Sequence, residues 1–183
     1  MHNKEQRQQL HDIAYQSIKH GLSIGKALTV DLTKLDKALQ TKRATFVTLN
    51  KHGQLRGCIG MLEPIRPLAE DVAYNAFAAA FSDPRFPPLQ ENELEQLKIH
   101  ISILGTPEKI FFDSEDNLIT QLRPGIDGLI MEEGHHRGTF LPSVWESLRD
   151  RREFLNHLKI KCGLPQNYWS DSICIHRYTV EEF

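Results

Sequence analysis

Two strand-like runs joined by a short turn constrain the fold of this chain most strongly. Residues 43–50 are rich in β-branched and aromatic side chains, and residues 55–60 read Leu-Arg-Gly-Cys-Ile-Gly. The connecting residues include Gly53, and glycine readily adopts the positive φ that a tight turn needs. The two runs are therefore predicted to pair as an antiparallel β-hairpin.

The second strand of this hairpin carries the most informative residues of the chain. Strand alternation predicts Arg56 and Cys58 on one face, with Gly57 on the other. Glycine inside a strand marks a bulge or the close approach of a ligand or another backbone, and a guanidinium near a thiol favours the reactive thiolate. Residues 55–60 are thus interpreted as the floor of a site. The alternative is a buried, inert cysteine where two elements pack closely.

A proline-rich segment, residues 82–89, is the second candidate binding element. Its three prolines exclude a helix interior or a central strand, so the segment is expected to be stiff and extended. Asp83 and Arg85 flank Pro84 and are expected to pair with each other or with groups of the hairpin. The alternative is a proline-braced connector without a binding role.

The rest of the chain alternates between helical and strand patterns. Helices are predicted at residues 3–20, with Gly21 as the stop, within 22–42, and at 67–81, 114–122, 142–148 and 151–162. Further strands are predicted at 98–104, at 125–131 with 139–141 as a second hairpin, and at 172–178, while residues 107–113 are expected to form a connector.

Composition narrows the function classes. A chain of 183 residues suits one domain, and 22 basic against 24 acidic residues give a net charge of -2, which favours neither nucleic acid nor an anionic membrane. Three cysteines without a CxxC pair indicate a reducing compartment. No apolar run approaches the ~20 residues of a membrane helix, and the N-terminus shows no signal core, so a cytoplasmic location is expected.

No metal site and no cofactor are expected from the ligand spacing. His135 and His136 are adjacent, so their side chains diverge, and neither HxH nor HExxH spacing is present. Cys174 and His176 share a strand face and could ligate a metal, but further ligands are not evident. Cys162, in the last turn of a predicted helix, is interpreted as structural.

Several sequence blocks together resemble one known family. Residues 55–60 (LRGCIG), 83–89 (DPRFPPL), 99–104 (IHISIL) and 125–130 (GIDGLI) occur in order along nearly the whole chain. In these blocks the chain resembles the AMMECR family, the A component of AmmeMemoRadiSam systems. The resemblance implies an α+β fold in a single domain spanning residues 1–183. An antiparallel sheet flanked by helices would form a larger lobe, with a smaller lobe beside it and a cleft between the lobes as the site.

The resemblance also implies a functional link with a Memo-type protein and a radical SAM enzyme. This chain lacks the CxxxCxxC spacing of a radical SAM cluster, so such chemistry is expected to belong to a partner. The motif cysteine that carries over is Cys58, whereas Cys162 stands where similar proteins tend to have alanine.

The first functional hypothesis is an enzyme, or a site for a small molecule or a modified residue. Cys58 would be the nucleophile or redox thiol, and Asp127, His135 or His136 would be the base that reaches its sulfur. An anionic group would be bound by arginine. The predicted substrate-binding residues are Arg56, Gly57, Gly60, Asp83, Arg85 and Phe86.

The second hypothesis is a non-catalytic module that docks a peptide or partner protein. Arginine and aromatic side chains such as Phe86 suit interface hot spots, and Cys58 would then be a small packing residue. RNA binding ranks below both, because the net charge is slightly acidic and no aromatic-rich RNA motif lies on a strand.

Overall fold

The computed structural model describes residues 1–183 as two compact units, and each unit contains a four-stranded sheet. The first unit comprises Met1–Leu104 and Glu181–Phe183, and the second comprises Gly105–Val180. The helices are α1 (Lys4–Ile24), α2 (Lys37–Gln40), α3 (Leu68–Phe81), α4 (Glu115–Gln121) and α5 (Arg151–Lys161). The strands are β1 (Thr45–Lys51), β2 (Gln54–Gly60), β3 (Leu97–Leu104), β4 (Glu108–Ile110), β5 (Gly128–Glu133), β6 (His136–Phe140), β7 (Cys174–Tyr178) and β8 (Val180–Glu182).

The first sheet has the strand order β2-β1-β3-β8, so the predicted hairpin forms one side of it and β2 is an edge strand. Its turn holds His52 at φ 52° and Gly53 at φ 78°. Two successive positive φ values match the right-handed twist of the flanking strands, which explains the two-residue connection.

One face of this sheet packs against α1 and α3 to form the first core. Val47, Leu49 and Ile101 contribute from the strands, and the alanine-rich side of α3 approaches them closely. A buried polar cluster fixes the start of β1 against α3, since Asp71 accepts hydrogen bonds from the Thr45 backbone and hydroxyl at 3.0 and 2.7 Å. Burial is the largest influence on Asp71 and raises the pKa of its carboxyl.

For the N-terminal region, one prediction was wrong and another was right only in part. The first helix does not stop at Gly21 but continues to Ile24, where Gly25 at φ 73° donates its N–H to the Gly21 carbonyl. Gly21 serves helix packing instead, because a Cβ there would lie 2.5 Å from the Phe81 ring. After α1 ends at Ile24, a 3₁₀ turn at Leu32–Lys34 and the single-turn α2 follow, so the short helix predicted within 22–42 is present only over Lys37–Gln40.

The second sheet has the order β4-β7-β5-β6 and packs one face against α4 and α5. Trp145 stacks on Phe154 at 3.7 Å between ring centroids within this second core. The predicted second hairpin is confirmed as β5–β6. Four details differ. Between β5 and β6 the turn is only Gly134 and His135, because both strands extend further into it than predicted. The 107–113 connector contains β4, residues Pro142–Glu146 form a 3₁₀ helix, and the last predicted strand begins at Cys174 and is followed by β8.

Membrane crossing by a helix is not supported by the structure. None of the helices combines the length and the apolar composition that a bilayer span requires.

Candidate functional site

A β-bulge in β2 changes which residues share a face with Cys58. Leu49 pairs with Gly57, whereas Asn50 pairs with Leu55, so Arg56 is the extra residue between the two pairs. Residues opposite each other in a ladder share a face, and so Cys58 lies with Leu55 rather than with Arg56. The predicted common face of Arg56 and Cys58 was therefore wrong, because simple alternation does not hold through a bulge.

Cys58 lies in a row of three polar side chains that crosses three strands. Thr48 on β1 pairs with Cys58 on β2 and with His100 on β3, which places all three on the same face of the sheet. We call this the polar face of the first sheet; it is opposite the face that packs on α1 and α3. The Thr48 hydroxyl donates a hydrogen bond to Cys58 Sγ at 3.3 Å, and Cys58 is half-buried.

The proline-rich segment holds the backbone of Cys58 at the sheet edge. Asp83 Oδ2 accepts a hydrogen bond from the Cys58 N–H at 2.9 Å, and Arg85 Nη2 donates to the Cys58 carbonyl at 3.3 Å. Asp83 and Arg85 also pair with each other, at 2.7 Å between Oδ2 and Nη2, as expected from the sequence. These two side chains occupy the hydrogen-bonding positions that a further strand would take, so they protect the edge against strand addition.

The same contacts set the charge states of this pair. The Arg85 hydrogen bonds hold the pKa of the Asp83 carboxyl well below its usual range, with a further contribution from the Cys58 N–H. In turn, the Asp83 hydrogen bonds raise the pKa of Arg85, and Cys58 adds a smaller contribution of the same sign. Asp83 is buried, but the Arg85 side chain is 54% exposed and is the accessible cation of this pair.

Arg56 has internal partners. Its Nε and Nη2 donate to the two Glu93 carboxylate oxygens at 3.0 and 2.9 Å, and Nη2 also donates to the Pro87 carbonyl at 3.0 Å. The Arg56 side chain is only 11% exposed, and its Nη1 is buried without a hydrogen-bond partner. The guanidinium holds the pKa of Glu93 well below its ordinary value. Arg56 thus ties β2 to the segment that follows the prolines, and its predicted role in binding an anion remains a prediction.

The remaining predicted binding residues have packing contacts. A Cβ at Gly57 would lie 2.0 Å from the Ala79 carbonyl oxygen, so α3 and β2 meet there backbone to backbone. A Cβ at Gly60 would lie 2.3 Å from the Phe46 ring. Phe86 lies beside both arginines, 6.0 Å from Arg56 and 5.5 Å from Arg85, measured from each guanidinium carbon to the ring centroid.

The predicted bases belong to the second unit and have partners there. The Asp127 carboxylate is buried and accepts hydrogen bonds from the Arg123 backbone and guanidinium, the shortest at 2.6 Å. His136 Nδ1 lies 2.8 Å from the Cys162 carbonyl oxygen, and His135 is exposed on the β5–β6 turn. Cys162 is buried, and burial raises the pKa of its thiol, in line with the structural role predicted for it.

Two residues next to the predicted site were missed at the sequence level, namely Thr48 and Glu93. Pairing Thr48 with Cys58 depends on the bulge at Arg56, because the two-residue turn without a bulge would pair Thr48 with Gly57. Glu93 lies 37 positions from Arg56 in a 3₁₀ segment, Glu91–Gln96, and carries no local signal that marks it as a partner.

Comparison with known proteins gives a consistent assignment. The chain is 39% identical over 166 residues to protein MK0488 of Methanopyrus kandleri, covering 88% of this chain and 79% of that protein. It is 36% identical over 183 residues to a protein of Methanothermobacter thermautotrophicus, covering 99% and 95%. The crystal structure titled uncharacterized protein PH0010 from Pyrococcus horikoshii superposes with a TM-score of 0.88 at 34% identity, covering 98% and 91%.

The family comparison covers both units. The AMMECR1 family model matches residues 11–183, which include the hairpin, the proline-rich segment and the second sheet. The same fold recurs in the solved structure. The chain therefore belongs to the AMMECR1 family.

Proposed function

We propose that the polar face of the first sheet binds an anionic small molecule, or an anionic modified residue, at the Cys58 thiol. One observation carries this proposal. The Cys58 backbone is fixed through both its N–H and its carbonyl, whereas its half-buried side chain lies in the row with Thr48 and His100. A reactive group held on rigid strands by surrounding hydrogen bonds has the preorganisation that a ligand site needs.

The preference for an anion rests on Arg85. Its guanidinium is the exposed cation beside Cys58, whereas Arg56 is enclosed by Glu93 and Pro87. The Asp83 pair fixes two Arg85 nitrogens and leaves Nη1 without a protein hydrogen bond. A carboxylate or phosphate oxygen can accept a charge-assisted hydrogen bond from such a nitrogen.

The chemistry available at this site is that of a positioned thiol. Thr48 orients the sulfur through its hydroxyl. After the thiol proton is lost to solvent, the thiolate would add to a carbonyl carbon of the bound molecule, and the π electrons of that carbonyl would move to its oxygen. His100 lies one strand beyond Thr48, so it would contact the distal part of a ligand that crosses the strands.

Charge selection at the thiol provides the test. We would compare the alkylation rates of Cys58 with iodoacetate, which is anionic, and with iodoacetamide, which is neutral, by mass spectrometry on the folded protein. The expected result is a rate ratio that favours iodoacetate and falls severalfold in Arg85→Gln. The control is Arg152→Gln, because Arg152 is equally exposed but pairs with Asp116 in the second unit. Equal ratios in the wild type and Arg85→Gln would contradict an anion site.

A second candidate function is docking of a partner protein, and the exposure of Leu55 favours it. Leu55 is 43% exposed and shares the polar face with Cys58. Phe86 lies beside Arg85, whose guanidinium is also exposed. Aromatic and arginine side chains are enriched at protein interfaces. The partners implied by the resemblance, a Memo-type protein and a radical SAM enzyme, are part of this proposal.

Matched variants separate the two candidates. A docking surface predicts that Leu55→Ser and Phe86→Ala abolish capture of a purified Memo-type protein while Cys58→Ala leaves it unchanged. Loss of capture in Cys58→Ala alone would instead assign the partner contact to the thiol site.

A further inference from the structure

Three metal-ligating side chains of different chemistry meet on the second sheet. Glu132 on β5 pairs directly with Cys174 on β7, and His176 lies two residues further along β7 on the same face. The ligand atoms of these three residues all lie within 4.8 Å of one another. The Cys174 sulfur lies 4.0 Å from His176 Nδ1. The sequence showed Cys174 and His176 as a pair; the β5–β7 register supplies the third member.

The cluster lies on the face of the sheet opposite the second core. Met131 and Ile175, on the other face, are fully buried among the apolar residues of that core. Glu132, Cys174 and His176 are each half-buried, so a small ion can reach them from solvent. Neighbouring strands hold their Cβ positions firmly, which makes a sheet a more exact support for ligands than a loop.

We propose that Glu132, Cys174 and His176 form a binding site for a zinc-type divalent cation. Zinc is bound in proteins by thiolate, imidazole and carboxylate groups, and a set of three protein ligands leaves a fourth position for water or another ligand. Tetrahedral bonds of about 2.3 Å to sulfur and about 2.1 Å to nitrogen place these two atoms roughly 3.6 Å apart, so a small side-chain rotation closes the observed distance. Binding displaces one proton from the Cys174 thiol to solvent and changes no oxidation state.

The basic residues around the cluster restrict which cations fit. Arg137 on β6 pairs with Glu132 at 3.0 Å between Nε and Oε1, and Lys109 on β4 lies opposite His176. A carboxylate has a second oxygen, so the Arg137 pair orients Glu132 while that oxygen ligates the ion. With one carboxylate and two nearby cations, the site lacks the several oxygen ligands that Mg²⁺ and Ca²⁺ require. The thiolate and imidazole instead favour zinc and similar borderline-soft metals.

Cobalt(II) titration of the untagged full-length protein tests this site. Cobalt replaces zinc in such sites and gives a charge-transfer absorption band when a thiolate is bound. We expect one equivalent to bind with this band, zinc to remove it, and millimolar Mg²⁺ to leave it unchanged. Cys174→Ser should abolish the band. His176→Ala and Glu132→Gln should each weaken cobalt binding by roughly tenfold or more.

The matched control is Cys58→Ser, which removes a half-buried cysteine of the first unit and should keep the band. Circular dichroism of each variant establishes that it is folded. A band that survives in folded Cys174→Ser, a band that disappears in Cys58→Ser, or the absence of saturable binding in the wild type would overturn the assignment.

Discussion

Gly57 determines how closely β2 approaches α3. Any side chain there would meet the Ala79 carbonyl oxygen, which belongs to the helix backbone and cannot rotate away. Gly57→Ala is therefore expected to lower the free energy of unfolding by about 3 kcal/mol, the upper range for overpacking. Gly53→Ala is the matched control in the same hairpin. Its Cβ would enter open space, so only the positive φ costs about 1 kcal/mol. Urea denaturation measures both, and equal losses would contradict the close approach.

The charge state of Asp83 makes the free energy of unfolding depend on pH. Its ordinary pKa is 3.8, and the Arg85 hydrogen bonds depress the folded-state value. The stabilisation from this carboxylate is therefore complete above about pH 4 and is lost as the pH falls toward the folded value. We expect Asp83→Asn to be less stable than the wild type at neutral pH. It should also lose less stability between about pH 5 and pH 2. Parallel pH slopes for the two proteins in denaturant titrations would disprove this assignment.

At the scale of elements, the Arg56–Glu93 pair connects the edge strand β2 to the 3₁₀ segment Glu91–Gln96. Both side chains are largely buried. Removing Glu93 leaves the buried Arg56 charge without an acidic partner, whereas removing Arg56 leaves Glu93 paired with Lys51 at 2.9 Å. Glu93→Leu alone should therefore cost about 3 kcal/mol of unfolding free energy, and Arg56→Met alone should cost less. The double variant should cost less than the sum, with a coupling of about 1–3 kcal/mol.

The exposed Arg152–Asp116 pair provides the reference for this double-mutant cycle of Arg56 and Glu93. Its coupling should stay below about 1 kcal/mol, because solvent screens exposed pairs. Additive losses at Arg56 and Glu93 would show that the buried pair does not join the two elements.

The helices and hairpins were predicted from the sequence more accurately than the contacts between them. The β1–β2 hairpin, α3 and the β5–β6 hairpin follow from local patterns, and all three are present. The bulge at Arg56 could not be read from the sequence, because it depends on how β2 pairs with β1. The same holds for the Arg56–Glu93 pair and for Glu132 beside Cys174, which join residues distant in the chain. Cys58, Asp83 and Arg85 were predicted as site residues because each lies in a short sequence motif that can be recognised locally.

At the scale of the whole molecule, the nearly equal numbers of acidic and basic residues argue against nucleic-acid binding. The net charge of -2 provides no general attraction for phosphates. We expect affinity for single-stranded RNA weaker than about 10⁻⁴ M near physiological salt. Fluorescence anisotropy at about 50 and 200 mM salt measures this. Tight binding that weakens steeply between these two conditions would revive RNA as a ligand.

The most direct test of the thiol site is the alkylation rate of each cysteine in the folded protein. The three cysteines differ in surroundings, since Cys58 and Cys174 are half-buried and Cys162 is buried with a raised pKa. Mass spectrometry after timed exposure to iodoacetate distinguishes them. We predict that Cys58 reacts in the native state faster than Cys174, and that Cys162 reacts only after denaturation. If Cys58 reacts only after unfolding, it is a packing residue, and the polar face of the first sheet is not a thiol site.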